Sequence, residues 1–377
     1  MNARAMLIFE ESIKSKVTLD RYNYYLKQFK NYYKLKDKTS ILEIDNSQLQ
    51  IMLEDYLFHM KRKELSRSYC SGVFSALELL CILNDKVGLN WKKIRKMMPA
   101  SKKPTGQKPW STIQIQKILE STSEKRTKAI IHILSDSWCR IGAIPDLKIR
   151  NLMEIENDCM AIQFYEGETE EYWSFLTPEG ADAVRNYLNE RREHGENLKP
   201  DHPLIREKYS IAIAKPKHLK TRSVMFLIEH PLKKSGIQRV KASKMRFEQQ
   251  IDHGFRKRGE TIMKNNAYKT KDPLAGAKIE KMMGHKVLLD GVYYQPDRNA
   301  LFDLYKEAIS DIVINDSSRI LAEKIKSDAE NRSLKEDKEL MKDMQKDVRE
   351  LLQEDKRKQI AIDNLSKKIQ ELRKKTN

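Results

Sequence analysis

The first hundred residues carry apolar side chains at the spacing that helices need in order to pack together. Apolar and aromatic residues recur three and four positions apart, which places them on one face of a helix. Three such stretches are Tyr22, Tyr25, Leu26 and Phe29; Leu49, Met52, Leu53, Tyr56 and Leu57; and Val73, Leu77 and Leu80. They predict an all-helical domain over residues 1–98, with Thr18 and Asn46 as N-caps of two helices.

This helical pattern stops at a segment rich in proline and lysine. Residues 99–109 contain three prolines, one glycine and three lysines. Proline and glycine interrupt helices and strands, and the lysines make the segment basic. We therefore expect a basic linker over residues 99–110.

Helical spacing resumes after the linker and continues for about two hundred residues. Ser111 or Thr112 can cap the first helix of a second domain, which we place at residues 111–313. Within this domain, β-branched and aromatic residues flank Gly167 and predict a small hairpin over residues 160–176. The fold class expected from these patterns is mainly α, with a small β-sheet in the second domain.

The last sixty residues carry apolar positions at alternating steps of three and four. From residue 317 onward the sequence has no glycine, proline or aromatic residue. Positions 341, 344, 348, 351, 355, 358, 362, 365, 369 and 372 hold Met, Met, Val, Leu, Asp, Lys, Ile, Leu, Ile and Leu. This is the pattern of a coiled-coil seam, interrupted by two polar residues that can fix register and partner number. We expect a coiled coil over residues 317–377 that joins copies of the chain; a single long helix lying back on the body is the alternative.

Composition and charge narrow the class of protein. Hydrophobic residues make up 40% of the chain and charged residues 33%, as in soluble globular proteins. No run of 18 apolar residues and no cleavable apolar leader is present, so we expect a cytoplasmic protein without a membrane partner. Lys and Arg number 72 against 54 Asp and Glu, a net charge of +18, which favours a polyanionic partner such as DNA.

The four cysteines are Cys70, Cys81, Cys139 and Cys159, and no two of them form a CxxC pair. Their spacing argues against a zinc site and against a disulfide framework. We expect reduced thiols in the core and no metal or other cofactor.

Three short motifs carry candidate chemistry. In the first, Arg140 follows the apolar helix that includes residues 129–134. The second is the pair His253 and Arg256, which would share one helix face because they lie three residues apart. The third is Gly284-His285, with Tyr294 nine residues after the histidine. Each motif is common by itself, and their order and spacing are what distinguish the sequence.

In that order the motifs resemble the tyrosine recombinases, the integrase family of DNA strand-exchange enzymes. The resemblance covers residues 110–310, and the preceding helical domain is similar to the core-binding domain of that family. The segment CRIGAIPDLKIRNL resembles the family's first arginine motif, while HGFRK and MMGHK followed by YYQP resemble the variant found in archaeal and archaeal-virus integrases. The resemblance implies a tyrosine recombinase fold, followed here by the C-terminal coiled coil.

The resemblance also implies roles for five residues. Arg140 and Arg256 would hold the oxygens of a DNA phosphate, because guanidinium groups stay charged at neutral pH and bind oxygens in pairs. His253 and His285 would orient the phosphate and take part in proton transfer. Tyr294, favoured over Tyr293 by its distance from the histidine, would attack the phosphorus and form a 3′-phosphotyrosine with no metal or ATP.

The sequence departs from the family at two positions. The family places a lysine in the hairpin of the catalytic domain to protonate the leaving 5′-oxygen, but Glu166, Glu168, Glu170 and Glu171 occupy this hairpin. The replacement candidates are Lys215, Lys217, Lys220, Lys269 and Lys271. Ala143 stands where an acidic residue often follows the first arginine, and Asp146 lies one turn further on.

The partners implied are double-stranded DNA and further copies of the chain, assembled as a tetramer on DNA. The helical domain and the catalytic domain would grip a duplex, in a host cytoplasm and on its nucleoid. Candidate phosphate contacts are Lys61, Arg62, Lys63, Lys92, Lys93, Lys96, Lys102, Lys103 and Lys108. A type IB topoisomerase-like enzyme, a catalytically weak version and an architectural DNA-binding protein without chemistry remain as alternatives.

Overall fold

A computed structural model describes residues 2–101, 108–208, 216–242, 246–285 and 296–375 of the protein. The chain divides into two compact units, Met1–Pro104 and Thr105–Asn377. The point of division lies within the expected linker. The packed part of the second unit begins at Lys108, whose backbone N–H donates to the Glu248 carbonyl at 3.0 Å.

The described part of the first unit is helical. Its elements are α1 (Asn2–Glu11), α2 (Lys16–Tyr32), α3 (Ser40–Glu43), α4 (Asn46–Arg62), α5 (Arg67–Leu83) and α6 (Trp91–Met97). The apolar positions that predicted α2, α4 and α5 meet in one core, in which Leu26, Phe29, Leu49, Leu57 and Leu77 are fully buried. The apolar faces of these three helices therefore share one core.

The two N-caps expected in this unit were wrong by one and three residues. Ser15 caps α2 by accepting a hydrogen bond from the Thr18 backbone N–H, and Asp45 caps α4 by accepting from Ser47 and Gln48. Each observed cap is a residue type that is common at N-cap positions, and it lies three residues or one residue before the predicted cap. A neighbouring pair of capping residues cannot be separated by residue type alone.

The second unit is built from helices around one small sheet. Its helices are α7 (Thr112–Glu120), α8 (Lys125–Ser137), α9 (Pro178–Glu193), α10 (Thr221–Lys234), α11 (Ile251–Ala267), α12 (Ala275–Met282), α13 (Arg298–Lys306), α14 (Ile309–Ile312) and α15 (Asp316–Lys375). Ser111 caps α7 and forms a capping box with Gln114, as one of the two candidates predicted. The fold class, mainly α with a small sheet, is confirmed.

The sheet is antiparallel and contains β1 (Leu152–Glu154), β2 (Met160–Phe164) and β3 (Tyr172–Leu176) in that order. The hairpin predicted for residues 160–176 is formed by β2 and β3, with Ala161 opposite Phe175. Strand β1 was not predicted, because three residues are too short to show an alternating pattern.

Buried polar contacts hold the segment that leads into α15. Arg258 on α11 donates to the carbonyls of Asp311 and Ile312 at 3.1 and 2.9 Å. Glu179 on α9 accepts from the backbone N–H groups of Ile314 and Asn315. The start of the last helix is thereby fixed to the same unit that carries the sheet.

Helix α15 is 60 residues long, which corresponds to about 90 Å at the usual rise per residue. Its first turns pack on the unit, where Ala322 contacts the core and Lys326 donates to the Glu307 carbonyl at 3.1 Å. Further along, the apolar seam side chains from Met341 to Ile369 are exposed. Pairing with another copy therefore stays a prediction. None of the helices in the described part of the chain is long and apolar enough to span a membrane.

Candidate active site

Arg140 follows the most deeply buried helix of the second unit. Residues 129–134 of α8 are all buried, and the helix ends at Trp138, whose φ of 54° turns the chain sharply. The guanidinium of Arg140 emerges after this turn and lies exposed. Its Nη1 donates to the Gly284 carbonyl at 3.2 Å. A left-handed residue thus brings the first arginine to the third motif, 144 residues away.

Arg256 lies on α11, which packs closely against the same turn. A Cβ on Gly259 would lie 1.9 Å from Cδ1 of the fully buried Trp138, so only glycine permits this approach. Arg256 is 8% exposed. Its Nη1 donates to the Trp138 carbonyl at 2.7 Å and its Nη2 to the Met283 carbonyl at 2.6 Å. Burial, and then the charge of Arg140, lower the pKa of this guanidinium.

The two arginines therefore donate to successive carbonyls, those of Met283 and Gly284. The next residue is His285, whose Nε2 lies 2.7 Å from Arg256 Nη2. Arginine can only donate, so Nε2 must accept and the ring proton must lie on Nδ1. The Glu280 carboxylate accepts the hydrogen bond that this Nδ1–H donates. The structure thereby assigns one tautomer to His285.

Glu280 and His285 meet because of how α12 ends. Gly284 has a φ of 64°, and the His285 N–H donates to the Glu280 carbonyl at 2.9 Å. This is the glycine-terminated helix end in which the residue after the glycine returns to the last full turn of the helix. A Cβ on Gly284 would also lie 2.5 Å from the ring of Tyr172, which packs beneath it. Glycine is required here on both counts.

Glu280 lies outside the three sequence motifs and was not predicted as a site residue. Its carboxylate also lies 3.5 Å from Lys264 Nζ. Burial raises the pKa of Glu280, but the hydrogen bond from His285 and the charge of Lys264 outweigh it and leave that pKa below its usual value. The sequence does contain a pattern that could have identified Glu280. A glycine that ends a helix, here Gly284, places the next residue beside the residue four positions before the glycine.

His253 has a more open position than the other predicted site residues. It lies three residues before Arg256 on α11, and its side chain is 57% exposed. Its described partner is the Asp252 carboxylate, 4.0 Å from Nε2. The structure thus places Arg140 and Arg256 on the successive carbonyls of Gly284 and Met283 and brings Arg256 into contact with His285, whereas His253 takes part in none of these contacts. Tyr293 and Tyr294 lie outside the described residues.

The hairpin that lacks the family's lysine is held by ion pairs of its own. Glu166 accepts from Arg150 Nε at 2.9 Å and from Asn151 Nδ2 at 2.8 Å. Both contacts lower the pKa of this exposed carboxyl, the one with Asn151 contributing more. Of the lysines considered as replacements, Lys217, Lys220, Lys269 and Lys271 are exposed, and Lys215 lies outside the described residues.

The basic residues predicted to contact phosphate fall into two groups. Lys61 donates to the Met97 carbonyl, Lys93 pairs with Glu54, and Lys108 pairs with Glu248, so these three cations already have partners within the chain. Arg62, Lys63, Lys92 and Lys96 are exposed as well, and no partner of this kind is seen for them in the described part of the chain. Lys102 and Lys103 are not among the described residues.

Comparisons of sequence with known proteins find no matching protein-family model and no matching curated protein. Comparison of structures does find similar chains. A lambda integrase(75–356) dimer bound to a COC′ core site is 14% identical, with a TM-score of 0.50 over 79% of this chain and 94% of that chain. The XerH site-specific recombinase bound to palindromic difH substrate is also 14% identical, with a TM-score of 0.48 over 78% of each chain. At such identities the likeness concerns the fold, and the fold of this chain is that of the tyrosine recombinases.

Proposed function

We propose that this chain is a site-specific DNA recombinase of the integrase kind, which cleaves and rejoins DNA through a 3′-phosphotyrosine. The observation that carries the proposal is the meeting of Arg140, Arg256 and His285. Two guanidiniums bind adjacent carbonyls, and the imidazole of the next residue contacts one of them. Two fixed cations beside a titratable ring suit a phosphate whose oxygens gain negative charge during attack.

The chemistry assigned to the site balances without another reagent. The phenol oxygen of Tyr294 bonds to phosphorus as the bond from phosphorus to the 5′-oxygen breaks. The phenol gives up its proton to a base at the site, and an acid returns a proton to the leaving 5′-oxygen. The phosphotyrosine ester keeps the energy of the phosphodiester, so a 5′-hydroxyl of another strand can reverse the step. His285, with Nε2 unprotonated, is our candidate for the base.

A lysine or another acid must protonate the leaving 5′-oxygen, because the hairpin of this chain lacks the family's lysine. Lys269 is a weak candidate, because the 13 residues that separate it from Arg256 include the rest of α11 and correspond to roughly 20 Å along a helix. Lys217 and Lys220 lie between the end of α9 and the start of α10 and remain proposals, as does Lys271. Lys215 lies outside the described residues and stays a candidate from the sequence.

Trapping the covalent intermediate tests the proposal. The target sequence is unknown, so duplexes with a randomised core are first enriched for binding to the chain and then nicked near the core. A nick lets the short 5′-hydroxyl fragment diffuse away, so a cleaving enzyme accumulates as a covalent adduct. We expect an adduct that survives denaturant, and peptide mapping should find the nucleotide on Tyr294.

Two results would assign the chain to another class. Binding without any adduct, across enriched duplexes nicked at each position, would leave an architectural protein. An adduct together with relaxation of supercoiled plasmid, but with no exchange between two sites, would indicate a topoisomerase of type IB. Exchange of strands between two enriched sites supports the recombinase.

Glu280 should matter for rate rather than for binding. Glu280→Gln removes the carboxylate that fixes the Nδ1 proton of His285, and we expect single-turnover cleavage to slow roughly 10- to 100-fold, as for other partners that orient a functional histidine. DNA affinity, measured at a fixed salt concentration, should change little because other phosphate contacts remain.

The matched control is Glu260→Gln, which removes a nearby carboxylate that pairs with Lys264 and not with His285. Nitrogen-15 spectra of the labelled histidine should show an Nδ1 proton in the wild type and a mixture of tautomers in Glu280→Gln. Equal slowing in both variants with an unchanged histidine spectrum would contradict the positioning role.

A further inference from the structure

The residues along the exposed seam of α15 indicate how two copies of the helix would pair. Its apolar members from Met341 to Ile369 are each at least 51% exposed. In heptad terms the a positions are 341, 348, 355, 362 and 369, and the d positions are 344, 351, 358, 365 and 372. Branched Val and Ile occupy the apolar a positions after Met341, and Leu occupies the apolar d positions after Met344. In parallel coils this distribution favours two strands, so it bears on the number of helices, and the direction has to be argued from the polar positions.

The two polar residues lie at the centre of the seam, fifth and sixth of its ten positions. In a parallel pair, a faces a and d faces d, so Asp355 would face Asp355 and Lys358 would face Lys358. In an antiparallel pair, a faces d. If the antiparallel pair is centred between positions 355 and 358, Asp355 of each copy faces Lys358 of the other. This register gives two opposite-charge contacts. Like charges in contact are costly, whereas opposite charges fix the register.

The same register pairs every apolar seam position with another. Counted from the centre outward, 351 faces 362, 348 faces 365, 344 faces 369 and 341 faces 372, and all eight residues are apolar. At the flanking g positions, Asp347 comes beside Lys368 of the second copy, a further opposite-charge pair. The sequence is therefore complementary to itself when reversed about its centre.

A contact within the single helix competes only weakly. Lys358 Nζ lies 2.8 Å from Glu354 Oε1, but both side chains are more than 60% exposed. Exposed ion pairs of this kind contribute little to stability and can rearrange.

We propose that α15 binds α15 of a second copy as an antiparallel two-stranded coiled coil, centred between Asp355 and Lys358. Chains joined in this way leave the coil at opposite ends. The two Lys326 residues, near which each helix departs from its own unit, would lie about 90 Å apart along a straight coil. Such a dimer suits the bridging of two separate DNA segments more than the occupation of adjacent sites. The pairing itself holds whether or not the chain cuts DNA.

Charge reversal in the full-length chain tests the register. Asp355→Lys or Lys358→Asp alone would create two like-charge contacts in the antiparallel dimer. Sedimentation velocity should show dimerisation weakened roughly a hundredfold or more by either change. The double variant Asp355→Lys/Lys358→Asp restores both opposite-charge contacts and should dimerise like the wild type. Single variants that dimerise as tightly as the wild type would overturn the proposal, as would a monomeric wild type.

A distance measurement tests the direction. The four native cysteines are buried, so Lys342→Cys offers one exposed thiol for a spin label. The antiparallel register separates the two labels by about 45 Å, whereas a parallel pair holds them at roughly the width of the coil, about 20 Å. The shorter distance would exclude the antiparallel arrangement even if the charge variants behaved as expected.

Discussion

Replacing Tyr294 with phenylalanine should abolish the covalent adduct between this chain and nicked DNA. The substitution removes one oxygen atom, the only atom of that side chain able to bond to phosphorus, and leaves a ring of nearly the same shape. A loss of the nucleophile cannot be compensated by binding, so the amount of adduct should fall below detection while DNA affinity stays within about twofold. Denaturing gels of trapped complexes, with labelled DNA, measure the first quantity, and titration at fixed salt measures the second.

Tyr293→Phe is the matched control, because it makes the same chemical change one residue away. We expect this variant to form adduct at a rate within about tenfold of the wild type. If instead Tyr293→Phe eliminates the adduct and Tyr294→Phe does not, the nucleophile has been assigned to the wrong residue of the pair. Adduct from both single variants but not from the double variant would show that either phenol can reach the phosphate.

Some residues of the candidate site could be predicted from the sequence because they lie in recognisable motifs, and others could not. Arg140, Arg256 and His285 could be proposed because three motifs occur in a particular order, although motif order does not specify the distances between them. The turn at Trp138 and the close approach of Gly259 create those distances, and both are consequences of packing. Motif order suggested that these three residues would lie near one another, whereas His253 is not shown in contact with them and Tyr294 lies outside the described residues.

The fold could be predicted to a similar extent. Long helices with clear stripes, such as α2, α4 and α5, were found because burial of one face sets their periodicity. The errors concern short features: β1 has three residues, and the caps at Ser15 and Asp45 are decided by local geometry among neighbours of similar type. Glu280 was missed for a related reason, since its contact with His285 is made across a helix end rather than along one face.

Arg256→Lys should reduce single-turnover cleavage by roughly 10³-fold, the second large effect we expect. The positive charge remains, but a lysine has no planar fork, and it cannot donate at once to the Trp138 and Met283 carbonyls and to His285. Arginines that stabilise a transferring phosphoryl group contribute factors of this size. Affinity for DNA should change far less, because the proposed phosphate contacts of the exposed basic residues would remain. Arg140→Ala should behave in the same way, with loss of chemistry and retention of most binding.

Arg258→Lys provides the control that separates catalysis from folding. Arg258 lies two residues further along α11, is also buried, and also donates to backbone carbonyls, those of Asp311 and Ile312. These carbonyls belong to the segment before α15 and not to the cluster of Arg140, Arg256 and His285. We therefore expect Arg258→Lys to lower the melting temperature at least as much as Arg256→Lys while its cleavage rate stays within about tenfold of the wild type. Cleavage lost equally in both variants, in proportion to their melting temperatures, would mean that Arg256 supports the fold and does not bind the reacting phosphate.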